Sequence, residues 1–203
     1  MDGIVERRWM KHVAVLLWML TAGVVLASIG LLVGPWYLRR TALEDLKRLG
    51  EIEISEDGEQ VSFSHNGPEP DRETLRDLAV LLRRVRCTDL SLWGCQNLKD
   101  ITGLEQVGSL RSLNLSSTQV SDLSPLAGLS GLTSLQLYDT PVIDLSQLAG
   151  LSGLTTLYLA ETQVSDLSPL AGLSGLTTLD LYGSPVSDLS PLAGLIGLTS
   201  LSL

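Results

Sequence analysis

Leu154-Thr155-Thr156-Leu157-Tyr158-Leu159 is followed 22 residues later by Leu176-Thr177-Thr178-Leu179-Asp180-Leu181, and the same L-x-x-L-x-L string opens at Leu110, Leu132 and Leu198. A fixed period of this length marks a solenoid, because each unit can bury its apolar side only by stacking on a neighbour. Within each string the alternate leucines, such as Leu113 with Leu115 or Leu179 with Leu181, fall on one side of a strand and the intervening residues on the other. Stacked about 4.8 Å apart, such strands make a parallel sheet with one buried face, and the rest of each unit must cross behind it.

The crossing segment barely changes. Ser121-Asp122-Leu123-Ser124-Pro125-Leu126-Ala127-Gly128-Leu129 recurs as Ser165 to Leu173 and as Ser187 to Leu195. Ser124, Ser168 and Ser190 precede proline, so each hydroxyl is expected to cap one helical turn whose first residue needs no amide donor. Gly128, Gly150, Gly172 and Gly194 are expected to end that turn, where positive φ is tolerated. Asp122, Asp144, Asp166 and Asp188 precede it and should accept backbone amides at the corner. A metal ladder of these aspartates is disfavoured by their mutual repulsion and the lack of matching ligands.

The string Thr162-Gln163-Val164-Ser165-Asp166-Leu167-Ser168-Pro169-Leu170-Ala171-Gly172-Leu173 resembles the leucine-rich repeats, specifically the 22-residue class of bacterial internalins and protein phosphatase regulatory subunits. The resemblance covers about residues 87 to 203. It implies an α/β leucine-rich repeat solenoid, with a parallel β-sheet on the concave face and short 3-10 or helical turns on the convex face. It also implies a membrane-anchored protein of bacterial surface type. Where that family places a corner asparagine, this chain has Thr118, Thr140, Thr162 and Ser184, and a hydroxyl offers one donor where an amide offers two.

Residues 87–109 hold a worn copy, one residue longer, with Cys87, Leu90 and Leu92 in the strand positions and Cys95 at the corner. Its cysteines should face the core from opposite ends of the strand, beyond the roughly 7 Å Cα limit for a disulfide, and so stay as buried free thiols. Upstream, Glu51 to Ser55 and Glu59 to Phe63 alternate polar residues with Ile52, Ile54, Val61 and Phe63 around Glu56-Asp57-Gly58, the pattern of a hairpin. After the loop His65 to Pro70, Asp71 can cap a helix carrying Leu75, Leu78, Ala79 and Leu82 on one stripe. Hairpin and helix are expected to form an N-terminal cap over the open end of the first repeat.

From Val13 to Val33 the chain runs without a charge, roughly 31 Å of helix at about 1.5 Å per residue, which is enough to span a bilayer. Trp9, Trp36 and Tyr37 border it, with Arg7, Arg8, Lys11, Arg39 and Arg40 outside them. A cleaved signal peptide is the competing reading, but its apolar core usually runs only about 7 to 15 residues, and Ser28-Ile29-Gly30 is a poor cleavage site. The expected organisation is a tail over 1–12, a single transmembrane helix over 13–33, a juxtamembrane stem over 34–50, the cap over 51–86 and repeats over 87–203. The flanking basic residues do not set the orientation. Long C-terminal domains translocate with little regard to charge, so the repeats are placed outside the cytoplasm.

Net charge is −9, and all 14 Lys and Arg lie between Arg7 and Arg111, leaving residues 112–203 with acids alone. That half repels nucleic acid. Catalysis lacks its parts: His12 abuts the apolar segment, His65 sits in a loop, and neither a phosphate-cradling G-x-x-x-x-G-K string nor metal-ligand spacing occurs. No enzyme and no cofactor is called for. What differs between copies is the outward strand face, where Trp93, Tyr138, Tyr158 and Tyr182 lie among Asp139, Glu161 and Asp180. Two readings of that strip stand. It is either a surface for a protein or peptide partner of basic character, or cross-strand packing among tyrosines on successive strands. The function is then a membrane-anchored, non-catalytic protein-binding module. Leu198, Leu201 and Leu203 close the sequence in mid-repeat without a polar cap, which supports the alternative of a structural spacer or self-associating surface protein, or a piece of a longer one.

Overall fold

The computed structural model describes residues 52–55, 59–63 and 72–203. The tail, the 13–33 segment, the stem, the Glu56 to Gly58 turn and the capping residue Asp71 lie outside the described residues. The described part is one eight-stranded sheet in strict chain order with a string of short turns behind it. β1 (Ile52–Ile54) and β2 (Gln60–Phe63) pair antiparallel, as a hairpin must. β3 (Asp89–Ser91), β4 (Ser112–Asn114), β5 (Ser134–Gln136), β6 (Thr156–Tyr158), β7 (Thr178–Asp180) and β8 (Ser200–Ser202) then follow, all parallel. The hairpin lies against the open edge of the first repeat. β2 joins β3 in parallel, with Val61 opposite Leu90, so the cap continues the sheet by two strands.

Each repeat strand is three residues long with its middle leucine inward. Leu90, Leu113, Leu135, Leu157 and Leu179 stand opposite one another down the stack and are at most 2% exposed. Behind the sheet, 3-10 turns at Leu104–Gln106, Ser124–Leu126, Ser146–Leu148, Ser168–Leu170 and Ser190–Gly194 return the chain. The apolar stripe of α1 (Arg72–Val85) is buried: Leu75, Leu78, Ala79 and Leu82 are each 0% exposed. Its end is closed by Arg86 at φ 59, with the Cys87 amide donating to Leu82 O at 2.9 Å and the Arg86 amide to Arg83 O at 3.3 Å. This is the left-handed helix stop that glycine usually provides, here carried by arginine.

The corners work differently from the expectation in one respect. The serine hydroxyls cap no turn. Asp122, Asp144, Asp166 and Asp188 accept backbone amides at the corner as expected, each Oδ1 taking the amide of the serine two residues on at 2.8 Å. The hydroxyls of Ser146 and Ser168 donate back to Oδ2 of Asp144 and Asp166 at 2.8 and 2.9 Å. The serine is already the first residue of the turn, so the capping geometry falls to the residue two before it. Gly128, Gly150, Gly172 and Gly194 do not adopt positive φ. Close approach instead constrains Gly153, where a Cβ would sit 3.1 Å from Ser130 O of the previous rung.

Hydroxyl ladders hold one rung to the next. Thr155, Thr177 and Thr199 each donate Oγ1 at 3.0 Å to the carbonyl 22 residues earlier, on Thr133, Thr155 and Thr177. These threonines are inter-rung donors as well as strand formers. At the buried corner, Thr118, Thr140 and Thr162 donate to Leu115, Leu137 and Leu159 O at 2.7, 2.6 and 2.6 Å. Ser184 reaches the same Leu159 carbonyl at 2.7 Å and lies 3.0 Å from Thr162 Oγ1. The asparagine-free corner is therefore satisfied mostly within its own rung, and cross-rung hydroxyl contact occurs between Thr162 and Ser184. Cys87 and Cys95 are free and buried.

Candidate protein-binding face

Besides the row Asp89, Ser112, Ser134, Thr156, Thr178, Ser200 that precedes the inward leucines, the concave face carries three rows that follow them, each contributing one residue per rung. The first row runs Ser91, Asn114, Gln136, Tyr158, Asp180, Ser202 in direct register. Two residues further along each rung, the second row reads Trp93, Ser116, Tyr138, Ala160, Tyr182. Large and small alternate in it. Trp93, Tyr138 and Tyr182 are 50, 46 and 59% exposed, while Ser116 and Ala160 between them are 4% exposed.

The third row is Gly94, Ser117, Asp139, Glu161 and Gly183, all at positive φ between 53 and 76°. Left-handed backbone disfavours the three non-glycine residues by about 1 to 2 kcal/mol each. The sheet ladder holds them there, with the Asp139 amide donating to Ala160 O at 3.0 Å and the Glu161 amide to Tyr182 O at 2.7 Å. A Cβ on Gly183 would lie 2.8 Å from the Glu161 carboxylate, the movable end of a flexible side chain, and the φ of 71° is one that glycine adopts without strain.

Trp93, Tyr138, Tyr158 and Asp180 share an open depression of about 320 Å³, together with Asn114, Ser116 and Gln136. Asp139, Glu161 and Tyr182 belong to the same rows without lining it. The tyrosines on successive strands are not one stack. Tyr158 stands opposite Gln136 and Asp180, diagonal to Tyr138 and Tyr182, which are themselves two rungs apart with Ala160 between. Sequence reasoning passed over Asn114 and Gln136 as lining groups, although their row position was readable from the period. A second depression, about 540 Å³, adjoins the first through those two residues and runs onto the hairpin at Glu53, Gln60 and Ser62. No period could show it, since it depends on β2 pairing with β3.

The charge on this face follows from simple bookkeeping of positions. Of the acids after Arg111, four hold the corners, and the remaining three, Asp139, Glu161 and Asp180, fall on the rungs of β5, β6 and β7. Arg111 itself is engaged with backbone, its guanidinium donating to Gly131 O at 3.1 Å. Among the described residues, no group of three or more His, Cys, Asp or Glu is placed to hold a metal ion.

Residues 108–150 and 152–194 match the family model described as Leucine Rich repeats (2 copies). Internalin C2 of Listeria monocytogenes aligns at 37% identity and a TM-score of 0.58 over 64% of this chain and 57% of its own. A second Listeria monocytogenes internalin, inlF, aligns at 34% identity and 0.57 over 64% of this chain and 41% of its own. A leucine-rich repeat protein of Leptospira interrogans aligns at 26% and 0.56 over 61% of this chain and 33% of its own. The chain thus spans less than two thirds of each of these structures. No curated protein matches it. Residues 108–150 and 152–194 thus carry leucine-rich repeats, and the chain has internalin-like structural neighbours; leucine-rich repeat folds commonly act as protein-binding scaffolds.

Proposed function

We propose that this chain is a membrane-anchored, non-catalytic binding module whose concave face receives a protein or peptide of basic character. The observation that carries the reading is the contrast between a near-invariant return segment and a concave face that differs at every rung. On that face three large aromatic side chains remain about half exposed beside three acids, in a stretch over residues 112–203 that contains no Lys or Arg. Aromatic rings offer rigid contact area with a polar handle, and acids without local counter-charge attract cationic partners. Trp93, Tyr138, Asp139, Tyr158, Glu161, Asp180 and Tyr182 are the contact residues of this proposal.

Binding of fluorescent Arg- and Lys-rich peptides to the full chain in mild detergent tests it. Replacing Tyr158 and Asp180 together by alanine should leave thermal unfolding nearly unchanged and weaken capture by about tenfold or more, as loss of hot-spot residues does. Unaltered capture removes the assignment. The anchor is the uncharged 13–33 segment, with the repeats outside the cytoplasm. Among the described residues no helix is long and apolar enough to cross a membrane, and the 13–33 segment lies outside them. Alkaline-washed membranes should retain the protein, and protease added to intact cells should remove the repeats. Release into the wash would refute the anchor, and full protection would reverse the orientation.

A further inference from the structure

The second concave row carries a spacing that bears on what kind of chain lies along it. Its three rings occupy alternate rungs, so Trp93 to Tyr138 and Tyr138 to Tyr182 each span two strand separations, roughly 9.6 Å. Between them lie the small side chains of Ser116 and Ala160, also roughly 9.6 Å apart, and Ser116 lines the open depression with Trp93 and Tyr138. We infer that this row is a groove for a proline-rich, basic peptide in the polyproline II conformation, an inference that rests on the binding reading above and narrows it.

Magnitudes separate the possible ligand conformations. A polyproline II chain rises about 3.1 Å per residue with three residues per turn, so every third side chain returns to one face after roughly 9.3 Å. Over the four rungs from Trp93 to Tyr182, roughly 19 Å, its register error is under about 1 Å. An α-helix returns to one face each seven residues, roughly 10.5 Å, and is about 2 Å out over the same span. An extended strand presents same-face side chains about every 6.7 Å and misses the middle ring. A proline at position i would therefore seat over Ser116 between Trp93 and Tyr138, and one at i+3 would fall in the interval between Tyr138 and Tyr182.

Two further features fit this occupant. A polyproline II backbone has no internal hydrogen bonds, and Asn114 and Gln136 bring amide donors to the depression beside the rings. Acids stand at both ends of the face: Asp89 on β3, and Asp139, Glu161 and Asp180 on the rungs of β5 to β7. A lysine or arginine on the peptide meets an acid at either end.

The test uses the full chain in mild detergent and fluorescence anisotropy with two labelled peptides of equal composition and charge. One has prolines at i, i+3 and i+6 with arginines at one end, and the other is reordered so that no two prolines are three apart. The first should bind about tenfold more tightly, since its conformation is already set. Tyr138→Ala should abolish that preference, and Tyr138→Phe should keep it. Tyr182→Ala serves as the second probe if Tyr138→Ala lowers the unfolding midpoint. Equal binding of the two peptides, or preference for the reordered one, overturns the inference. If that equal binding is still lost in the Tyr158 and Asp180 double variant, the broader binding reading survives. If neither peptide binds, the inference and the preference for basic partners both fall.

Discussion

At the residue scale, the clearest case of local chemistry is the corner hydroxyl. Thr140 is 3% exposed and donates to Leu137 O at 2.6 Å. Thr140→Val keeps the shape and removes the donor, leaving a buried carbonyl without it, which costs about 1 to 3 kcal/mol. Urea unfolding should show a lower midpoint with an unchanged slope. The cysteines make a second case. Burial, the largest influence, pushes the Cys87 thiol up to about 12, and its Sγ donates to Asp89 O at 3.3 Å. Since only a thiolate is an effective nucleophile, iodoacetamide near neutral pH should leave the native protein unmodified and alkylate both cysteines once denaturant is added. Mass spectrometry reads both states. Buried free thiols were already expected from the leucine-position spacing, whereas the left-handed φ at Asp139 and Glu161 was not, because nothing in their side chains demands it and the neighbouring rung imposes it.

At the element scale, the 3-10 corner has a titratable cap. The backbone amides of Ser146, Ser168 and Ser190 hold the carboxyls of Asp144, Asp166 and Asp188 below their ordinary value, and the serine hydroxyls add to this. A carboxyl depressed in the folded state contributes stability above its unfolded pKa and loses it as pH falls through the folded one. The unfolding midpoint should thus hold steady from neutral pH to about 5 and fall below about 4. Replacing these three aspartates by asparagine should flatten that fall, because an amide oxygen accepts the same hydrogen bond without titrating. An unchanged acid slope in the triple variant would show that other carboxylates govern it. The helix is an element of a different kind, stabilised by tertiary packing of one face. Leu78 is 0% exposed on α1, and Leu78→Ala should cost about 2 to 5 kcal/mol. The loss should appear in hydrogen exchange of β2 and β3 before β7, because solenoid units couple mainly to their neighbours.

At the scale of the whole molecule, function rests on a division of labour between a repeated backing and a variable lining. The three acids of the lining are solvent-facing, and at about 0.15 M salt charges are screened beyond roughly 8 Å. Binding of a basic peptide should weaken as salt rises. A salt-independent affinity would assign the interaction to the rings alone.

The 22-residue period by itself determined that this chain stacks parallel strands, which leucines are inside, and which residues line the exposed face, because periodicity and side-chain alternation are properties of the backbone. Tertiary structure decided what no period contains. The hairpin extends the sheet because β2 finds β3 across 26 residues, a pairing that depends on the intervening helix burying its stripe. The aspartate's bond at the corner was legible, but the serine is the first residue of the turn and not its cap because the turn begins one residue earlier than the proline suggests. The tyrosines separate into two rows, with small residues between the rings, because register places side chains by rung and not by their closeness in sequence.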